Sequence, residues 1–398
     1  MPHPDLTRRL SLLAAAALAI GLLAWKLPTI AGDSSFLKPY DFVQYWAAGR
    51  LALDGGDPYS AEALLPWERY VGWVNLDPAI LMWNPPWVLP AVMPLATLTP
   101  RFAQLVWFAL HLGTLLLCGD CLWRLYGGPD RLRWIAWGLT LMFAPSVFAL
   151  IIGQISAFLL LGVVGFVVQM KANRPVAAGC FAALTAIKPH LFLLFALLLA
   201  LEAFRVRAAR KAIAAGAGLL VVAGAIPLLW NADVWSQYIA AVLRPPSLTH
   251  VSMAQWDHPT LGFLLRQAVP GHPFWVQFVP LALSIPVVAV YWWHRRNAWD
   301  WTAELPRIVL VSALTACYGA WAFDLVILLP TVISTAMRLR RMGSGPIFVA
   351  AGIYFTLNVV AIASIGRAYS QENYWIVPAV LAAYVAVIVF VPRGEAPA

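Results

Sequence analysis

Runs of apolar residues recur along almost the whole chain, and charged side chains fall mainly in the short stretches between them. Only 11% of the 398 residues are charged, whereas 62% are hydrophobic. A soluble globule typically has a charged fraction of about 25%, so this chain has too little polar surface to fold in water. Inside a bilayer, backbone polar groups must pair within the protein, which favours α-helices. The sequence therefore predicts an all-α polytopic membrane protein.

About twelve apolar segments are candidates for membrane-spanning helices, although several are shorter than the roughly 20 residues that a perpendicular helix needs. An even number of crossings places both termini on the same side of the membrane. Most of the 27 Lys and Arg residues lie on that side, so the positive-inside rule predicts cytoplasmic termini. The candidate segments are 10–30, 102–123, 134–152, 155–170, 176–187, 191–204, 212–230, 276–293, 306–320, 325–337, 345–364 and 375–391.

The net charge of +9 does not indicate a nucleic-acid partner. The basic residues lie between apolar segments, which is typical of topology signals and of contacts with anionic lipid headgroups. All of the cysteines lie inside apolar segments, where thiols usually act as small hydrophobes. We therefore expect neither a disulfide nor a metal site from them.

Two long outer loops, residues 31–100 and 231–275, are expected to form the roof of one active site in a single domain that comprises residues 1–398. In the first loop, Ser60 can cap a helix whose aromatic and apolar side would lie on the membrane surface. The following stretch, residues 84–100, is apolar but rich in proline. If it crossed the membrane, every later basic loop would change sides, so we predict a re-entrant or interfacial segment.

Polar side chains at membrane depth are costly, which makes each of them a candidate functional residue. Here these side chains all fall near the outer ends of predicted spans. Gln154 follows a glycine at the junction of two spans, and Lys188 precedes a helix-breaking proline. The membrane topology is assigned from the basic inner loops alone, so the common outer position of these polar residues supports an outward-facing site. The candidates are Asp41, Gln44, Tyr45, Gln154, Lys188, His190 and Asp324.

Each candidate also has a purely structural explanation. Asp41 can be a solvated loop residue, and Gln154 can join neighbouring helices. Lys188 can extend to lipid headgroups, although the proline after it is expected to leave the ammonium near unpaired carbonyls. The histidines of the second outer loop, such as His258, can be ordinary surface residues. Asp324 is the hardest to explain structurally, because an unpaired buried carboxylate is costly.

Several short motifs follow one another along the chain in a consistent order. They occupy residues 41–49, 56–59, 84–87, 94–95, 153–156, 186–189 and 323–326. In these motifs the chain resembles the polyprenyl-phosphate-sugar-dependent glycosyltransferases of family 87, whose mycobacterial mannosyltransferases elongate phosphatidylinositol mannosides. The resemblance implies the multi-spanning GT-C fold, here a bundle of about 12 transmembrane helices with outer-face loops and interfacial helices.

The resemblance also implies roles for individual residues. A catalytic aspartate in the first outer loop matches Asp41, and a histidine that contacts the donor phosphate is best matched by His258. Residue chemistry adds Lys188 and Arg244 as cations for that phosphate. The substrate-binding candidates are Gln44, Tyr45, Gln154, His190 and Asp324.

The expected activity is an inverting glycosyl transfer. A hexose, with mannose as the family-based expectation, moves from a polyprenyl-phosphate sugar to a hydroxyl of a lipid or glycan acceptor at the outer face of the bacterial inner membrane. Asp41 accepts the hydroxyl proton, and no metal or other cofactor is expected because the leaving monophosphate already faces cations. Many family members have asparagine after the glycine–glutamine step, whereas this chain has Ile155 and Ser156, so the detailed sugar specificity stays open.

A secondary transporter or a flippase is the main alternative, since broken helices and intramembrane Lys188 and Asp324 also suit a substrate pathway. Transporters usually place such groups near the midplane between repeated halves, whereas these crowd one side. A lipid-binding scaffold would explain the basic loops and the tryptophans, but it gives Asp41 no role. The sugar, the acceptor, the prenyl chain length and the oligomeric state stay open.

Overall fold

The computed structural model describes most of the chain, and every regular element in the described part is helical, which confirms the all-α class. The expected first span, residues 10–30, lies outside the described residues. The described ranges are 38–73, 79–245, 256, 258–340, 344–363 and 371–390.

The helices are connected by short turns, several of which have 3-10 geometry. The α-helices are α1 (Phe42–Leu53), α2 (Ala61–Val71), α3 (Leu89–Val92), α4 (Pro100–Leu125), α5 (Arg133–Met142), α6 (Ala144–Ile152), α7 (Ser156–Lys171), α8 (Pro175–Ala183), α9 (Leu193–Ala203), α10 (Arg207–Ala225), α11 (Val234–Leu243), α12 (Leu261–Ala268), α13 (Val279–Arg295), α14 (Trp301–Thr315), α15 (Leu329–Leu339), α16 (Ser344–Ala363) and α17 (Ile376–Phe390). The 3-10 turns are Pro86–Val88, Met93–Thr97, Asp130–Leu132, Leu184–Ile187, Pro189–Leu191, Ile226–Leu229, Phe274–Phe278, Arg296–Ala298, Asp324–Leu328 and Gln371–Trp375.

Several of these helices are long and apolar enough to cross a bilayer. Within the described residues there are 4 such spans, or 5 if a pair of helices bent by 64° counts as one crossing. The spans are Pro100–Leu125, Arg207–Leu229, Phe274–Ala298 and Pro346–Ala363, and the bent pair is Asp130–Met142 with Ala144–Ile152. Of the shorter apolar helices, Ser156–Lys171, Pro175–Ile187, Leu193–Ala203 and Asn373–Val389 fall on other predicted segments, whereas Pro86–Thr97 and Val234–Leu243 do not. The protein is therefore a polytopic membrane protein, and the total of about twelve crossings stays a prediction.

The basic ends of several helices meet at one end of the bundle. Arg205, which follows α9, donates to the Asn297 side-chain oxygen at 2.8 Å. The buried carboxylate of Glu304 in α14 pairs with Arg307 at 2.7 Å and with Arg295 at 3.3 Å. This contact explains how several of the predicted inner arginines gather around one acid.

The two long loops that are predicted to face outward contact each other. The side-chain amide of Asn231 donates to the Gly56 carbonyl at 2.7 Å. The rings of Tyr59 and Tyr238 lie 5.2 Å apart. Residues from the loop before α4 and from the loop after α10 therefore contact each other, and their role as a roof over the active site stays a prediction.

The helix predicted after Ser60 is present as α2. The Ser60 hydroxyl accepts a hydrogen bond from the Ala63 backbone N–H, so the residue is an N-cap. The apolar side packs on α1: Leu64 is fully buried, and the Tyr70 ring, although exposed, lies 5.8 Å from that of Trp46. The position of α2 on a membrane surface stays a prediction.

The proline-rich stretch before α4 forms short turns instead of one continuous helix. Pro86–Val88, α3 and Met93–Thr97 follow one another; α3 and Met93–Thr97 pack against α1, and Pro86–Val88 packs against α10. The approach is close, since a Cβ atom at Gly49 would lie only 2.8 Å from the Val92 carbonyl oxygen. Prolines at the start of each turn remove N–H groups that would otherwise lack partners.

Candidate active site

Asp41 lies at the N-terminus of α1, immediately before its first residue. Its backbone N–H donates to the Ile152 carbonyl at 3.0 Å, which ties the start of α1 to the end of α6. Its carboxylate accepts a 2.6 Å hydrogen bond from the Gln154 side-chain amide. The side chain is 4% exposed, so Asp41 is not a freely solvated loop residue.

Gln154 is held in place by a tight corner between α6 and α7. Gly153 forms this corner with a φ of 77°, in the left-handed region that favours glycine. The Trp107 indole donates to the Gly153 carbonyl at 2.7 Å. The Gln154 side-chain oxygen accepts from the Tyr45 hydroxyl at 2.7 Å. Burial raises the pKa of Tyr45 well above its ordinary value, so this hydroxyl stays a neutral donor.

These contacts orient the Gln154 amide unambiguously. Its oxygen receives a proton donor from Tyr45, so its nitrogen faces Asp41 and donates to the carboxylate. The three side chains form the first group of the site, which we call the Asp41 group. It brings together three of the residues that the sequence singled out.

A second group lies two residues further along, at the start of α7. The Lys188 ammonium contacts both carboxylate oxygens of Asp324, at 2.8 and 2.9 Å. The Ser156 hydroxyl donates to the same carboxylate at 2.5 Å, and the Trp321 backbone N–H does so at 3.1 Å. Lys188, Asp324 and Ser156 are all buried. We call these three residues the Lys188 group.

The helix break around Lys188 differs from the expectation of unpaired carbonyls beside the ammonium. The Asn84 side-chain amide donates to the Ile187 carbonyl at 3.0 Å, and the Trp87 indole donates to the Ala186 carbonyl at 3.0 Å. The prediction of unpaired carbonyls was wrong because a distant proline-rich turn supplies the missing donors. Lys188 consequently pairs with a carboxylate and not with backbone.

Aromatic rings surround the Lys188 group on one side. The ammonium lies 5.6 Å from the Trp321 ring centre and 5.2 Å from that of Phe323. Trp256 lies 5.0 Å from Trp321 and 5.3 Å from Trp83. The three tryptophans come from three separate segments and are each partly exposed. They form an amphipathic wall, which we call the tryptophan wall.

The two candidate histidines lie beside this wall. His190 stacks on Tyr318 at 4.5 Å and its ring contacts the Gly319 carbonyl at 3.3 Å. His258 lies 6.2 Å from Trp321 and is fully buried, which corrects the view of it as a surface residue. The His258 ring lies close to the backbone of Cys317 and Trp256. Burial lowers the pKa of His258 to about 4, so the ring is neutral at physiological pH.

Arg244 stands apart from the two groups. Arg244 forms an exposed ion pair with Glu62 at 3.7 Å, at the outer edge of the loops. Within the part of the chain that the structure describes, it contacts neither the Asp41 group nor the Lys188 group. Gln44 is buried in the first turns of α1.

Two residues at the site were not among the sequence candidates. Ser156 bonds to Asp324, and its place two residues after Gln154 at the start of α7 was the available signal. Glu68 is fully buried in α2, and one of its oxygens accepts from the Ile80 N–H at 3.1 Å. Burial raises the pKa of Glu68 to about 8, and the charge of Asp41 adds to this shift. Its spacing from Leu64 on the helix could have indicated a buried face.

The comparison with known proteins gives one match. A sequence model of glycosyltransferase family 87 matches residues 83–318, which is more than half of the chain. No curated protein and no solved structure matches it. The matched range contains Gln154, Lys188 and His258, while Asp41 and Asp324 lie outside it. The chain belongs to glycosyltransferase family 87, and it is a glycosyltransferase.

Proposed function

We propose that this glycosyltransferase moves a hexose from a polyprenyl-phosphate sugar to a hydroxyl of a lipid or glycan acceptor, with inversion at the anomeric carbon. One observation carries the proposal: the Asp41 group and the Lys188 group are joined through residues 154–156, so a buried carboxylate and a buried ammonium serve one site. We further propose that this site faces the outside of a bacterial plasma membrane, under the two outer loops.

Asp41 is the base in this proposal. The acceptor oxygen attacks the anomeric carbon, its proton passes to the Asp41 carboxylate, and the bond from that carbon to the phosphate oxygen breaks with its electron pair. The Gln154 amide donates to one carboxylate oxygen, which fixes the orientation of the other. Tyr45 acts one step further away, because it fixes the orientation of that amide.

The Lys188 group meets the leaving phosphate. Two N–H groups of the ammonium contact Asp324, which leaves a third for a phosphate oxygen. Because this ion pair is neutral overall, Lys188 supplies a fixed donor more than net positive charge. His258 is the second donor: its neutral ring carries one N–H and lies 6.2 Å from the Trp321 ring, beside the Lys188 group. Arg244 would have to leave Glu62 to take part.

The tryptophan wall supports a donor with an apolar chain. Partly exposed aromatic rings beside a buried ammonium suit a ligand that is charged at one end and hydrocarbon at the other. A polyprenyl phosphate has this character, whereas a nucleotide sugar does not. Mannose as the sugar rests on the family resemblance alone, as do roles in glycolipid and cell-envelope synthesis.

Transfer assays on the purified protein test the proposal. The protein is incubated with radiolabelled polyprenyl-phosphate sugars and with a membrane-lipid extract, and the products are separated by chromatography. We expect transfer by the native protein and loss of at least about a hundredfold in Asp41→Asn, which keeps the shape of the side chain but cannot act as a base. Near-normal turnover by Asp41→Asn would remove the base assignment. Uptake of donor into vesicles without any transfer would favour the transporter or flippase alternative.

A further inference from the structure

We propose that Asn358 in α16 is a positioning residue for the transfer reaction, because it fixes α6 and through α6 the Gln154 amide beside Asp41. The inference rests on the proposed function, since it takes Asp41 as the base. Asn358, like Asp324, lies beyond the family match, which ends at residue 318.

The junction of α5 and α6 is a break that needs a partner. The two helices are bent by 64°, and Phe143 between them is extended. Ala144 is the first residue of α6, so its N–H has no acceptor within the helix. The side-chain oxygen of Asn358 accepts that N–H at 2.6 Å in a buried contact. A helix 214 residues further along the chain thus caps α6.

A second contact from the same face of α16 holds the other side of the break. The Tyr354 hydroxyl donates to the Leu139 carbonyl of α5 at 2.6 Å, and the Tyr354 ring stacks on Phe143. The Asn358 amide nitrogen donates to the Tyr354 carbonyl at 2.8 Å, which orients its oxygen toward Ala144. Residues four apart lie on one helix face, so α16 hydrogen-bonds to both α5 and α6 at the bend.

The opposite end of α6 carries the groups that hold Asp41. The Ile152 carbonyl accepts from the Asp41 N–H, and Gln154 donates to the Asp41 carboxylate. A helix of 9 residues is a stiff connection of about 13 Å, so a shift at its first residue moves its last one. Catalysis is sensitive to such shifts, because misplacement by about 1 Å can lower a rate about a hundredfold.

The surroundings of Asn358 argue against a role in general packing. Only 11% of the span Pro346–Ala363 is buried within the protein, yet Asn358 is itself buried. A polar amide on a largely lipid-facing helix is costly unless both of its ends are bonded. Here the Asn358 side-chain oxygen accepts from the Ala144 N–H at the bend, and its nitrogen donates to the Tyr354 carbonyl within α16.

The test compares Asn358→Leu, which keeps the size but loses the acceptor, with Asn358→Asp, which keeps an acceptor oxygen. Val359→Leu on the exposed side of α16 is the matched control. Rates are normalised to the folded protein recovered from size-exclusion chromatography. We expect kcat to fall at least about tenfold in Asn358→Leu while the donor KM changes less than about twofold. Asn358→Asp should recover part of the rate, and Val359→Leu should match the native protein.

A double-mutant cycle with Gln154→Ala separates positioning from a general loss of structure. If Asn358 acts through Gln154, the double variant is about as slow as Gln154→Ala alone. If the fold-losses in kcat of the two single variants multiply in the double variant, the proposal is overturned.

A readout without catalysis keeps this proposal separate from the proposed function. Amide hydrogen exchange followed by mass spectrometry should speed up at Ala144 and also at Asp41 in Asn358→Leu, because the Asp41 N–H bonds to Ile152. Faster exchange at Ala144 with no change at Asp41 would refute transmission through α6, whatever the activity. If exchange rises at both Ala144 and Asp41 in Asn358→Leu but Asp41→Asn keeps normal turnover, the base assignment is refuted and the transmission through α6 is not.

Discussion

Replacing one member of the buried Lys188–Asp324 pair should destabilise the protein more than replacing both. Lys188→Met leaves a buried carboxylate, which costs about 3–5 kcal/mol when its charged partner is lost. Asp324→Leu leaves a buried ammonium and also removes the acceptor of Ser156 and of the Trp321 N–H. Each of those donors adds about 1 kcal/mol. The double variant leaves no buried charge, so only these smaller losses of about 1–2 kcal/mol remain.

Unfolding of the purified protein in mixed detergent micelles measures this difference. Tryptophan fluorescence is a suitable signal, because the ammonium lies 5.6 Å from the Trp321 ring. From the four free energies of unfolding we expect a coupling energy of at least about 2 kcal/mol. The exposed pair Arg50–Asp54 is the matched control, and its coupling should stay below about 1 kcal/mol. A double variant less stable than either single variant would refute the reasoning.

Three further predictions concern the donor, pH and topology. His258→Gln should raise the donor KM without changing the acceptor KM, with exposed His272→Gln as control; equal effects on both substrates would contradict it. Because burial raises the pKa of Glu68 to about 8 from 4.5, the folded state holds the extra proton in this range. Its contribution to the free energy of unfolding is therefore full below pH 4.5 and is lost as pH rises to 8. In Glu68→Gln the free energy of unfolding should no longer fall with pH over this range. An unchanged pH dependence in this variant would exclude Glu68 as its source. A cysteine at Asp57 should be labelled in intact cells and one at Arg210 only after permeabilisation, whereas the reverse would invert the topology.

Most of the site residues could be selected from the sequence, because polar side chains are conspicuous in apolar surroundings. Asp41, Gln154, Lys188 and Asp324 were all chosen for that reason, and the structure brings them together in two adjoining groups. Their pairing could not be predicted. The contact between Lys188 and Asp324 joins residues 136 positions apart, and only the packing of the helices decides it.

The residues that sequence reasoning missed or misplaced share a different property. Glu68 lies in the helix predicted after Ser60, and His258 lies in a stretch expected to be a wet loop. The burial of each depends on contacts outside its own local segment: Glu68 accepts from the Ile80 N–H, and the His258 ring lies beside Trp321. Arg244 was predicted to bind the phosphate because of its charge, but it pairs with Glu62 instead.

The position of the site follows from the breaks in its helices. The corner at Gly153, the turn at Lys188 and the turn before Asp324 each interrupt a helix, and each frees backbone groups that a bilayer cannot solvate. Side chains pair with those groups: Trp107 at the first break, Asn84 at the second and the Asp324 carboxylate itself at the third. Polar side chains and freed backbone groups can satisfy one another only where such breaks adjoin. The same arrangement that makes broken helices tolerable therefore also concentrates a carboxylate, an amide and an ammonium in one place.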